Sequence, residues 1–291
     1  MTTAPTDNRT PCNRTPCTVI DQKRLYDLYT TVPTAAGYQE MVGMEERWIG
    51  AIAEGHRRTA PEFASHTELL RELSGFLARE GAVASDSHRF LAEEATLDQF
   101  RVVVSEFAMD GLTESLNLLP VVPRLPYKAG MAVFRVMVDE LGCGNDDQAH
   151  SELYRELLRE LDLPTEVAAY RAGSSPQSHA YVNMFHWLAS RADTPEYFLG
   201  GYAYFEASVL YGFRSFAQAA RRLGLTSGKY YTEHLYIDTY HSKQMRVAIR
   251  ETHAAQGLDL AKVWAGVELT SAIVGDATET AIALAREAGR A

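Results

Sequence analysis

Cysteine is nearly absent from this chain: three occur in 291 residues, none in a CxxC pair. That argues against a disulfide framework, a zinc knuckle or an iron–sulfur site. No apolar run reaches the roughly 18 residues that a membrane span requires, so no membrane partner is expected. Positive charge is in deficit, with 28 Lys and Arg against 38 Asp and Glu and a formal net charge of −10. Such a balance argues against a broad nucleic-acid surface and favours a small-molecule partner. A basic head followed by an apolar core and a cleavage site is also missing from the first residues, which makes cytoplasmic the expected location. Alternating strand patterns are absent, and no Gly-, Ser- or Pro-rich stretch divides the chain after its first 20 residues.

What remains is a helical pattern with enough apolar residues, 46%, for a large core. Apolar positions recur at intervals of three and four. They predict helices near 21–30, 37–57, 61–80, 85–93, 96–119, 127–141, 146–162, 176–192, 195–223, 228–255 and 258–288. Pro120, Pro123 and Pro126 break the chain after one of these, and Gly142 and Gly144 after another. Asn145 or Asp146, Thr194 before Pro195, and Thr226 or Ser227 after Gly224 are candidate helix caps. The expected architecture is all-α: a single multi-helix bundle over 21–291, behind a disordered tail over 1–20. That tail duplicates Asn-Arg-Thr-Pro-Cys around Cys12 and Cys17.

Three good metal ligands, His234, Asp238 and His241, fall at offsets of 4 and 7 within one predicted helix, so they share a face. A lone His–Asp pair on a helix is more often structural, so the case rests on other helices. Glu140 ends one helix and His150 follows ten residues later, past the glycine turn. Glu114 lies among apolar neighbours in Gly111–Leu119, with Glu106 as its competitor and Asp147 as a further carboxylate near His150. Glu206 sits in an almost wholly apolar and aromatic stretch, where an unneutralised carboxylate is costly to bury. Four carboxylates and three imidazoles on separate helices suit two divalent cations in a bundle core. His179 and His186, seven apart, have Asn183 rather than a carboxylate between them and read as packing or surface residues.

The segment Asp139-Glu140-Leu141-Gly142-Cys143-Gly144-Asn145, then Ala149-His150-Ser151-Glu152-Leu153-Tyr154 and His234-x3-Asp238-x2-His241, resembles the haem-oxygenase-like di-iron oxidases over roughly residues 95–245. The resemblance implies a haem-oxygenase-like fold and two iron ions cycling between Fe(II) and Fe(III). Their ligands would be Glu114, Glu140, His150, Glu206, His234, Asp238 and His241. It also implies dioxygen as co-substrate and an external electron donor, as in oxidases of natural-product biosynthesis. The substrate expected is a small amino acid or amine, oxidised by hydrogen abstraction from carbon to give desaturation, with cyclisation or C–C cleavage as variants. N-oxygenation of an amine is the alternative. A non-catalytic binding protein, and a protein that consumes its own side chain, are readings of other classes. A carboxylated substrate would need a pocket cation, for which Arg135, Arg171, Arg214, Lys243 and Arg246 are candidates. A homodimer is plausible for a bundle of this size.

Overall fold

The computed structural model describes residues 19–83 and 85–290. Of the expected tail only Val19 and Ile20 are among them, so its disorder and its duplicated cysteines lie outside the described residues. The described residues form an all-α fold with no strand. In chain order the helices are α1 (Gln22–Thr30), α2 (Ala35–Glu45), α3 (Ala51–Thr59), α4 (His66–Ala82), α5 (Asp86–Arg89), α6 (Leu97–Gly111), α7 (Tyr127–Glu140), α8 (His150–Glu160), α9 (Pro176–His186), α10 (Glu196–Arg222), α11 (Lys229–Gln256) and α12 (Leu260–Ala288). No helix among the described residues is long and apolar enough to cross a membrane.

The core is one continuous cluster, with Trp48, Phe100, Tyr154, Phe198 and Tyr202 among its fully enclosed large side chains. Helix α10 packs along α12 on one side and α11 on the other, and α11 packs in turn on α7. Small residues set the first of these contacts. A Cβ on Gly200 would stand 1.7 Å from the Val263 carbonyl oxygen, and one on Gly266 2.1 Å from that of Tyr197. Only glycine lets the two backbones meet so closely. That contact holds in place the helix that carries Glu206.

The predicted helix over 96–119 ends early, at Gly111. Its start follows the local signal, since Thr96 and Gln99 form a reciprocal capping box. Its end is set from afar. The ring of Tyr154, on α8, lies where a Gly111 side chain would go, and the Tyr154 hydroxyl donates to the Val104 carbonyl at 2.6 Å. Beyond Gly111 the chain turns through Ser115, held in the left-handed region at φ 67°, into a 3-10 stretch over Leu116–Arg124 that carries Pro120 and Pro123.

The expected caps also differ. Helix α8 begins only at His150, after a 3-10 turn over Asp146–Gln148, and neither Asn145 nor Asp146 caps it. Thr194 does not cap α10 and instead meets the Lys262 ammonium at 3.3 Å. Gly224 does turn the chain at φ 76°, but the backbone amides of Thr226 and Ser227 donate to the Glu160 carboxylate, and Gly228 precedes α11.

The glycines of α10 give a direct test. Gly200→Ala forces the α10 and α12 backbones apart and should lower stability by about 1–3 kcal/mol, as overpacking does. Gly212→Ala, whose Cβ would meet nothing within 4 Å, should be neutral or gain up to about 1 kcal/mol from helix propensity. Urea midpoints of the two variants measure the contrast, and equal midpoints would deny the close contact.

Candidate metal centre

The carboxylates and imidazoles of the predicted set reach the interior from five parts of the fold, with His234, Asp238 and His241 all on α11. Helix α7 ends in Glu140, and the chain leaves it through Gly142 at φ 78°, where a Cβ would stand 2.7 Å from the Ala149 amide nitrogen. That tight turn folds His150 back onto Glu140, with its Nδ1 2.8 Å from Glu140 Oε2. The turn after α6 directs Glu114 to His234, whose Nε2 lies 3.1 Å from Glu114 Oε1. Glu114, Glu140, His150 and His234 thereby form one group, each offering a ligand atom within 4.8 Å of the others. Glu140, Asp238 and His241 form a second. Glu206 joins the second through its Oε2, 3.1 Å from His241 Nδ1.

Glu140 belongs to both groups, and its two oxygens divide between them. Oε2 approaches His150, while Oε1 lies 3.3 Å from His241 Nδ1. A carboxylate so placed is suited to bridging two cations. The donor atoms also fit metal better than they fit one another. Asp238 Oδ2 is buried without a hydrogen-bond partner and its Oδ1 reaches only His241, at 3.3 Å, which is costly unless another group occupies the adjoining space. Carboxylate oxygen with imidazole nitrogen, and no thiolate, is a donor set for iron or manganese.

The surroundings fix the ligand orientations. The Nδ1 of His234 lies 2.7 Å from the Tyr230 carbonyl, a contact that makes it the protonated nitrogen and turns Nε2 to the centre. His241 is turned the other way, with Nδ1 inward and Nε2 3.5 Å from Asp139. Tyr230 donates to Glu114 at 3.2 Å, Ser115 to Glu140 at 3.3 Å, and Tyr202 to Glu206.

Charge in this dry site is redistributed. Burial works against a charged His234, but Glu114, Asp238 and Glu140 outweigh it and raise its pKa to about 10. Burial likewise opposes a charged His241, and Glu206, Asp238 and Glu140 lift it to about 11. Burial and the Glu206 charge raise Asp238 to about 7, despite its hydrogen bond with His241. For Glu140 burial favours the neutral acid, yet His150, His234 and His241 hold it down at about 2.

All seven predicted residues therefore converge. Two of the weighed alternatives do not. Glu106 turns away to accept from the Ser175 amide at 3.0 Å and from the Ser178 hydroxyl, capping α9. Asp147 is exposed in the turn before α8. His186 stacks on Tyr29 and His179 sits edge-on to Tyr26, both as packing. Among the five basic candidates, Arg135 reaches Gln244, Arg171 pairs with Asp27, Arg246 meets Ser74, Arg214 lies over Tyr211, and Lys243 is exposed. None of them lines the space beside the centre. The reading of the sequence missed Asp110, which lines that space four residues before Glu114, accepts from Tyr181, and is held well above the usual carboxylate range by burial and by Glu114. Its i, i+4 spacing from Glu114 was the available signal.

An all-α bundle that gathers carboxylates and histidines around a shared glutamate is the architecture of a metal-dependent redox protein. The chain belongs to the family of iron-containing redox enzymes, which matches it over residues 101–274. It is also similar to a nitrosourea synthase of Streptomyces achromogenes subsp. streptozoticus, with 27% identity over 151 residues. The match covers 51% of this chain and 32% of that protein, so the chain spans only about a third of its relative.

Two outcomes follow from the charge balance. In the metal-free protein at pH 7, His234 and His241 carry protons that ligation must displace. Asp238, raised to about 7, is about half protonated there as well, so ferrous binding should release between about two and three protons per chain and tighten as pH rises from about 6 to 8. Calorimetry in buffers of different ionisation enthalpy counts them, and no release would show neutral imidazoles. Separately, removing metal leaves the carboxylates crowded. Amide exchange across about 230–245 should then be faster than in the iron-loaded form, and equal protection would refute this.

Proposed function

We propose that this chain is an oxygen-dependent di-iron oxidase that acts on a small amino acid or amine by hydrogen abstraction from carbon. The division of Glu140 between two groups of ligand atoms carries this reading. On that reading Glu114, Glu140, His150 and His234 would hold one iron, and Glu140, Glu206, Asp238 and His241 the other. When bound, such a pair supplies reducing electrons to dioxygen at a site that ordinary side chains cannot provide. In desaturation the substrate yields two hydrogens, an external donor supplies two further electrons, solvent supplies two protons, and dioxygen leaves as two waters. C–C cleavage and cyclisation are variants of the same abstraction.

The protein's own residues orient and enclose. The Tyr230 carbonyl and Asp139 fix the two imidazoles of α11 in opposite senses. Tyr230 and Tyr202 donate to Glu114 and Glu206, limiting the positions those carboxylates adopt. Aromatic rings close the space around them: Phe213 lies 5.1 Å and Tyr230 4.6 Å from the His234 ring. A shell of this kind keeps water from a reactive centre.

N-oxygenation is the second reading, favoured by the nitrosourea synthase likeness, since a nitrosourea carries an oxidised nitrogen.

Anaerobic ferrous titration tests the centre. Two irons per chain are expected in the wild type, and a loss of stoichiometric binding in His234→Ala and Asp238→Ala. Oxygen consumption and product mass then separate the reactions, because desaturation removes two hydrogens and N-oxygenation adds oxygen. Failure of the wild type to bind iron stoichiometrically would remove the di-iron reading.

A further inference from the structure

Three cavities abut in series between the surface and the metal centre. The outermost lies among α4, α10 and α12, with Glu80, Tyr211, Ser271 and Glu279 around it. It shares His88, Ser208, Gly212, Val274 and Thr278 with the next one inward. That second cavity is walled mainly by aromatic rings, including Tyr154, Tyr181, Phe213 and Tyr230, and its one carboxylate is Asp110. Asp110 and Phe205 are then shared with the innermost space, which Glu114, Glu140, Glu206 and His234 line.

Charge along this path has one sign. Among the described residues, no Lys or Arg lines any of the three cavities, and their only nitrogen bases are His88 and His234. Glu80 and Glu279 stand at the outer end and Asp110 at the inner one. Aromatic faces attract a cation through their ring quadrupoles, most strongly where water is excluded. Asp110, whose charge burial and Glu114 disfavour in the empty cavity, would ionise beside an arriving cation, and a carboxylate among such faces is the chemistry of an ammonium site. Tyr181 supplies one donor to Asp110, which leaves acceptor positions free for a ligand. A free carboxylate on the substrate would find no Lys or Arg among the lining residues to pair with.

We infer that the substrate is a hydrophobic amine without a carboxylate, which enters between α10 and α12 past Gly212 and sets its ammonium on Asp110 and the surrounding rings. This rests on the oxidase reading above and narrows its substrate from amino acid or amine to amine. Asp110, in the last turn of α6 and four residues before Glu114, is then a binding residue and fixes which end of the molecule approaches the centre. Gly212 lies in the throat, and a side chain there would project into open space rather than into protein.

The test uses iron-loaded protein without oxygen and four probes of one shape: 2-phenylethylamine, 2-phenylethanol, phenylalanine and 3-phenylpropionate. Calorimetric titration should show the amine binding at least tenfold more tightly than each of the others. Asp110→Asn should weaken the amine at least tenfold while leaving 2-phenylethanol within threefold, which shows that the cavity persists. Gly212→Leu should slow or abolish binding of the amine with iron content and thermal midpoint unchanged. Equal binding of amine and alcohol, tighter binding of phenylalanine or the acid, no binding of the amine, or indifference to Asp110→Asn would each overturn the assignment. Indifference to Gly212→Leu would overturn the route. Iron counted in the same samples keeps the two readings apart. Protein with two irons that ignores the amine refutes the amine site alone, and protein that binds the amine but not iron refutes the oxidase reading alone.

Discussion

The concentration of carboxylates in a dry interior is the constraint on which the rest of this structure depends. Glu140, Glu206 and Asp238 are buried and Glu114 nearly so, where charge without compensation is unfavourable by several kcal/mol per group. Histidine protonation offsets part of it, as the raised His234 and His241 show. It does so imperfectly, because Asp238 Oδ2 still lacks a hydrogen-bond partner and Oδ1 has only His241, at 3.3 Å. Cations held at the two groups of ligand atoms would satisfy these carboxylates and imidazoles together. The helices must meanwhile hold mutually repelling groups in place, and the close approach of α10 to α12, Gly200 against Val263 and Gly266 against Tyr197, is one device that does so.

Legibility from sequence follows the range of the interaction that decides each feature. His234, Asp238 and His241 were readable because a single helix fixes their common face. Glu140 and His150 were readable because two glycines announce the turn between them, and Gly142 does adopt a positive φ. Glu114 does lie beside His234, but outside the helix expected to carry it, which ends at Gly111. The cause is the Tyr154 ring packed on Gly111, a contact 43 positions away along the chain. Glu106 illustrates the same limit. Its helical face resembles that of Glu114, and only the N-terminus of α9, about 70 residues later, claims it. The caps expected at Asn145, Thr194 and Thr226 failed because distant partners such as Lys262 and Glu160 took over those groups or the turns took another form.

Strain is spent where ligands are aimed. Ser115 adopts the left-handed region without being glycine, at an expense of roughly 1–2 kcal/mol. That conformation turns the backbone so that Glu114 meets His234 while the Ser115 hydroxyl reaches Glu140. A strained residue between two candidate ligands is understandable if surrounding packing holds the turn, and Tyr154 and the proline-bearing 3-10 stretch supply that packing.

The two halves of the centre differ in what they face. Glu114 and His234 line the inner cavity, whereas Asp238 and His241 line none of the cavities described. His241 is fully buried and looks outward only to Asp139, which the exposed Cys143 thiol meets at 3.1 Å. A molecule arriving through the aromatic cavity therefore meets the Glu114–His234 side first. On the opposite side only Glu206 and the shared Glu140 reach that cavity, while Asp238 and His241 are enclosed by protein. Such asymmetry lets the open half vary its contacts with a substrate while the closed half keeps Glu140 in position. Both depend on the same carboxylate, so a displacement of Glu140 would be felt in each.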